Sequence, residues 1–187
     1  MSKIAVVYHS GFGHTAKQAE AVARGAASVA GTEVRLVKVE DFEAESAFVD
    51  SADAIVFGSP TYMGSVSGPF KTWMDATGQR WFNRAWKDKL AAGFTNSASQ
   101  SGDKLNTLIQ LAIFGAQHGM IWVGLDVLGG NNSSTGSVAD INRLGSYLGA
   151  MAQSNNDQGP DLAPPKADLA TAERLGARVA EQAKRLG

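Results

Sequence analysis

Ile4-Ala5-Val6-Val7-Tyr8-His9-Ser10-Gly11-Phe12-Gly13-His14-Thr15-Ala16 is the stretch from which the rest of the chain can be read. Its first five residues are a short β-branched run that stops at polar and glycine residues, which predicts a strand buried on both faces. From Thr15 to Ala30, small apolar residues recur at Ala16, Ala19, Val22, Ala23 and Ala26 with helical spacing, and alanine there permits close packing on a sheet. A strand, a glycine-containing loop and a helix in immediate succession form an anion site, because backbone N–H groups and the positive end of the helix dipole face the same point. Ser10 and Thr15 add hydroxyl donors, and Thr15 is also placed to cap the helix. No Lys or Arg lies between Ser10 and Ala16, so a phosphate there would be held by neutral donors.

Outward from this unit, strands are expected at 32–39, 53–57, 90–95 and 119–123, and helices at 69–76, 104–117 and 168–186. Strands alternating with helices imply right-handed βαβ units and a parallel sheet covered on both faces. The expected architecture is a three-layer αβα sandwich with five parallel strands in the order 2-1-3-4-5, whose ligand lies beyond the carboxyl ends of the first and third strands. One domain over 1–187 fits the length. An aromatic insertion at 77–89 and a long polar connection at 129–165 break the rhythm, and a connection of that length is expected to serve function or assembly.

Composition narrows the function. Hydrophobic residues are 44% and charged residues 19%, and the net charge is −1, which argues against a nucleic-acid or anionic-membrane binder that needs a concentrated positive field. The absence of cysteine removes disulfides, thiolate metal sites and thiol catalysis. Three widely spaced histidines suggest no metal site. No leader pattern or ~20-residue apolar span is visible, so a cytoplasmic location is expected.

The first loop has a rival reading. Gly11-x-Gly13-x-x-Ala16 matches a dinucleotide fingerprint, with Glu40 closing strand two where a ribose-binding acid would sit. Two further loops favour a mononucleotide carrying a flat ring. Ser59-Pro60-Thr61-Tyr62-Met63-Gly64-Ser65 follows strand three; Pro60 fixes its backbone, Gly64 permits close approach, and Tyr62 or Met63 can lie against a ring. Thr95-Asn96-Ser97-Ala98-Ser99-Gln100-Ser101-Gly102 follows strand four and offers small donors for the polar edge of a heterocycle. A dinucleotide domain has no particular need of these two loops, whereas FMN uses all three.

These residues resemble the flavodoxin-like family. Gly58-Ser-Pro-Thr, Trp73-Met-Asp-Ala-Thr-Gly78, Gln117-His-Gly-Met120 and Gly145-Ser-Tyr-Leu-Gly-Ala150 are similar to its tryptophan-repressor-binding-protein branch, the FMN-dependent NAD(P)H:quinone oxidoreductases. The resemblance implies non-covalent FMN, NAD(P)H as co-substrate, a small quinone as acceptor, and homodimers or homotetramers whose neighbours complete the active sites. It implies that Ser10, Phe12, Gly13, His14, Thr15 and Ala16 hold the phosphate. Pro60, Thr61, Tyr62, Met63, Gly64, Thr95, Asn96, Ser97, Ala98 and Ser99 would hold the ring and its side chain. Trp81, Tyr62 and His118 would act at the substrate face, with Trp81 walling the pocket and His118 reaching a neighbour's flavin. Tyr62 replaces a residue that is usually basic or polar, the third loop is less glycine-rich than usual, and 131–143 has no counterpart. Trp73 is expected in the core, and Trp81 and Trp86 at an assembly interface, a reading that for Trp81 stands beside that of pocket wall.

Overall fold

The computed structural model describes residues 1–187. Strand β1 (Ser2–Tyr8) lies at the centre of the chain's first unit and leads into helix α1 (His14–Ala27). There follow β2 (Thr32–Lys38), a 3₁₀ turn at Val39–Asp41, α2 (Phe42–Ser51), β3 (Ala54–Tyr62), the short β4 (Ser65–Val66), α3 (Gly68–Ala76) and α4 (Gly78–Phe82). The chain continues with β5 (Leu90–Ser97), α5 (Lys104–Gln117), β6 (Ile121–Trp122), β7 (Ala150–Gln153) and α6 (Lys166–Leu186). No helix is long and apolar enough to cross a membrane.

The parallel strands run in the order β2-β1-β3-β5-β6, which is the expected 2-1-3-4-5 arrangement. This order also departs from the sheet that the dinucleotide reading of the glycine loop requires. A dinucleotide sheet would seat its fourth strand beside the first, whereas here β3 pairs with β1, in register from Ile4–Ala54 to Tyr8–Gly58.

Alternation along β1 explains why its sequence is continuously apolar. Ile4, Val6 and Tyr8 face α1 and α6, where they meet Ala19, Val22, Ala172, Leu175 and Val179. Ala5 and Val7 face the opposite layer, with Phe48, Phe70, Trp73, Leu108, Leu111 and Phe114. Each buried Val, Leu or Ile contributes about 1.5–3 kcal/mol, and a central strand collects this on both sides. Helices α1 and α6 approach through glycine: a Cβ on Gly25 would stand 1.8 Å from the Glu173 carbonyl oxygen, and one on Gly176 1.9 Å from that of Val22.

The structure departs from the sequence expectation in three places. Helix α2, which was not anticipated, fills the crossover between β2 and β3 by burying Phe42, Phe48 and Val49. The fifth strand position is shared by two segments: β6 pairs with Leu90 and Ala91, while β7 pairs with Phe94 to Ser97. Residues 123–149 leave the sheet between them, so the long connection contains part of the sheet itself. Trp86 is fully buried, stacked on Trp73 at 6.2 Å and donating through Nε1 to Asp50 at 2.7 Å. The aromatic insertion therefore contributes to the core, and Trp86 belongs there with Trp73 rather than at an interface.

Candidate cofactor cleft

The site forms where β1, β3 and β5 end. Gly13 adopts φ +89°, a left-handed conformation that glycine reaches at no steric cost, and this turns the chain into α1. Ser10 Oγ accepts the N–H of Gly13 at 3.1 Å and that of Ala16 at 3.0 Å, capping the helix from outside it. Thr15, expected as a possible cap, makes no such bond. The backbone N–H groups of His14 and Thr15 have no acceptor in the protein. Two orphan amides at a helix N-terminus, with the dipole behind them, suit an anion. The Thr15 hydroxyl has no partner either, and the residue is only 2% exposed, so it opens onto the cleft alone.

The cleft has a volume of about 590 Å³ and brings together Phe12, His14, Thr15, Pro60, Thr61, Tyr62, Asn96, Ser97 and Ala98 from the three anticipated loops. Their roles divide. Phe12 and Tyr62 meet edge to face, with centroids 6.3 Å apart, and form an aromatic rim. Burial pushes the Tyr62 hydroxyl above its ordinary value, opposed by a hydrogen bond from the Gly11 backbone. The Thr61 hydroxyl is bonded to those of Thr95 and Thr107, both at 2.8 Å, so it ties β3 to β5 and α5 from below the cleft. Met63 and Gly64 both have positive φ and form the tight hairpin between β3 and β4, leaving Met63 wholly exposed at the rim. Ser99 turns its carbonyl away from the cleft, to Lys104.

A further wall was not legible. Ser154, Asn156, Asp157, Gln158 and Gly159, inside the long polar connection, line the cleft beside the first loop. His14 Nε2 lies 2.7 Å from the Gln158 carbonyl, an acceptor only, so Nε2 carries the proton and donates. Pro160 sits over Gly13, and Ser154 bonds Asn96 Oδ1 through its hydroxyl and the Ser97 carbonyl through its N–H. The only advance signal for this strip was the length of the connection, which names no residue.

Trp81 and His118 lie outside the cleft of their own chain. His118 follows α5 and precedes β6, whose first residue pairs with the first residue of β5, at the opposite end of the sheet. Its ring is 2% exposed, packed on Trp86 and Phe114. Thr77 Oγ1 donates to the Met74 carbonyl and therefore accepts from His118 Nε2, leaving Nδ1 as a buried lone pair without a partner. Burial, reinforced by Arg84 and Arg80, pulls the imidazole down to about 4. Trp81 is on α4, half exposed, at the same end as His118, where Arg80 pairs with Asp50.

Residues 3–134 match the family described as NADPH-dependent FMN reductase. The chain belongs to that family. It is 46% identical over 190 residues to flavodoxin FldP of Pseudomonas aeruginosa, covering 100% of this chain and 99% of that protein. An NAD(P)H dehydrogenase (quinone) of Archaeoglobus fulgidus is 34% identical over 209 residues, covering 100% of each. The crystal structure of a flavodoxin, WrbA-like protein from Agrobacterium tumefaciens superposes with a TM-score of 0.77 at 42% identity, covering 99% of both chains. The chain is thus an FMN reductase family member of the WrbA-like branch, with the flavodoxin-like fold.

FMN is the cofactor that goes with this family, and the residues of the cleft fit it. Orphan amides and the Thr15 hydroxyl suit a phosphate. The volume falls in the ordinary range for small-molecule sites, about 300–1,000 Å³. The aromatic rim and the small polar residues after β5 suit the face and edge of a planar heterocycle.

Proposed function

We propose that this family member catalyses two-electron reduction of quinones by NAD(P)H. When bound, FMN supplies hydride acceptance and two-electron delivery; the chain supplies placement. The first loop fixes the phosphate through neutral donors, His14 clamps that loop to the strip at 154–160, and Ser97 and Ala98 stand at the ring's polar edge. Supporting this reading is the open rim: Phe12 is 76% exposed and Tyr62 37%, so a second planar molecule has access to the ring beside them. One slot admits one such molecule at a time. NAD(P)H therefore leaves before the quinone enters, which gives ping-pong kinetics. No side chain of the cleft is required as a proton donor. In an assembly of two or four copies, the exposed Trp81 of one copy would wall the cleft of another, with His118 behind it.

The 46% identical relative named a flavodoxin favours a second reading, a one-electron carrier. Such carriers dock through strongly acidic surfaces, and a net charge of −1 provides none. Steady-state oxidation of NADH and NADPH with benzoquinone tests the proposal. Parallel double-reciprocal lines are expected. Intersecting lines would refute the shared slot, and FMN-loaded protein that oxidises neither nucleotide would refute the activity. A potentiometric titration in two well-separated one-electron steps would then carry the second reading.

A further inference from the structure

Lys104 is a lysine in a place that disfavours lysine. It is the first residue of α5, where the helix dipole repels a cation, and it is 1% exposed. Its ammonium has three N–H groups and meets three acceptors: Ser97 Oγ at 2.9 Å, the Ser99 carbonyl at 2.8 Å and the Gln100 carbonyl at 2.8 Å. Ser97 is the last residue of β5, and Ser99 and Gln100 belong to the loop that follows it. Gly102 completes the fold-back, since a Cβ there would stand 2.3 Å from Ser97 Oγ.

We propose that Lys104 is a positioning residue for the cofactor, gripping this loop from behind so that Ser97 and Ala98 are held at the cleft wall. The inference rests on the FMN reading above. A trans peptide points its N–H opposite its carbonyl. With the Ser99 and Gln100 carbonyls turned inward to the ammonium, the N–H groups of Gln100 and Ser101 point away from it, and neither has an acceptor in the protein. The buried charge thus fixes both peptide planes of the loop, and through them the turn whose first residues, Ser97 and Ala98, line the cleft, whereas Gln100 and Ser101 do not line it.

The charged groups that act on Lys104 are Asp168 from α6 and Arg143 from the long connection. Arg143 and Asp168 pair with each other, Nε to Oδ1 at 2.7 Å, so neither is a dedicated counter-ion. Burial pulls the ammonium from an ordinary 10.5 down to about 8, with Asp168 acting against this and Arg143 with it. Above that pH the amine has one N–H fewer than it has acceptors, and the charge is gone. The grip on the loop weakens within an accessible pH range.

The test is fluorescence titration of the apoprotein with FMN between pH 7 and 9, on the wild type, Lys104→Met and Lys104→Arg. For a tenfold effect, the size of one charge-assisted hydrogen bond, bound FMN holds the ammonium about one unit higher, so the wild-type Kd should rise about fivefold between pH 7 and 9. Lys104→Met should bind about tenfold more weakly already at pH 7 and show no pH step. Lys104→Arg keeps its charge and should also lose the step. Unfolding cannot imitate this, because the stability term has the opposite sign. Between about 8 and 10.5 the unfolded chain binds the extra proton, so this residue makes the apoprotein more stable as pH rises. A flat wild-type profile, or Lys104→Met with wild-type affinity, overturns the inference while FMN binding stands. Wild-type protein that binds no FMN at any pH overturns both. Should Lys104→Met fail to fold, the wild-type profile and Lys104→Arg still decide.

Discussion

Replacing Thr15 by Val removes a hydroxyl and keeps the branched shape. In the apoprotein this hydroxyl opens onto the cleft without a protein partner, so no internal bond is lost and the urea midpoint should stay nearly unchanged. Bound to a phosphate oxygen, the same hydroxyl makes a charge-assisted hydrogen bond worth ~1.5–3 kcal/mol. Each 1.4 kcal/mol is tenfold in Kd, so FMN should bind about tenfold to a hundredfold more weakly. Flavin fluorescence titration measures this directly, and riboflavin is the internal control. Riboflavin lacks the phosphate, so its affinity should be the same for the variant and the wild type. Unchanged FMN affinity, or an equal loss for both ligands, would refute the placement of the phosphate at the start of α1.

Ser10→Ala leaves the N–H groups of Gly13 and Ala16 without their acceptor and should lower stability by about 0.5–2 kcal/mol in urea denaturation, with weaker FMN binding as the loop loosens. Gly13→Ala forces a Cβ into a left-handed conformation and to 2.9 Å from Pro160 Cγ, so thermal unfolding should report a loss of at least about 1–2 kcal/mol. His118 titrates at about 4 when folded against 6.5 when free, so the unfolded state binds its proton first on acidification. That stability is fully present above pH ~6.5 and is lost as pH falls toward ~4, amounting to about 3 kcal/mol. In His118→Phe, urea midpoints between pH 7 and 4.5 should fall less steeply than in the wild type.

Local chemistry is what the sequence determined unaided. The β1–loop–α1 unit was legible because its apolar period changes from strand to helix across two glycines, and those signals need no partner. The three loops could be placed at one sheet end because strand direction follows from the βαβ rhythm. The strand order, which is that of a mononucleotide-type rather than a dinucleotide-type sheet around Gly11–Ala16, was decided by which strand pairs with β1. Three other features arise only from contacts far apart in sequence. Ala150–Gln153 has little strand character of its own and becomes β7 because the free edge of β5 offers it a ladder. Trp86 reads as a surface aromatic until Trp73, Phe114 and Asp50 close around it. Ser154 to Gly159 is an unremarkable polar run that lines the cleft because His14 and Asn96, more than fifty residues away in sequence, hold it there. Hydrophobic period and turn residues are local properties, whereas the partner of an edge strand, the burial of an indole and the far wall of a cleft exist only once the chain has folded.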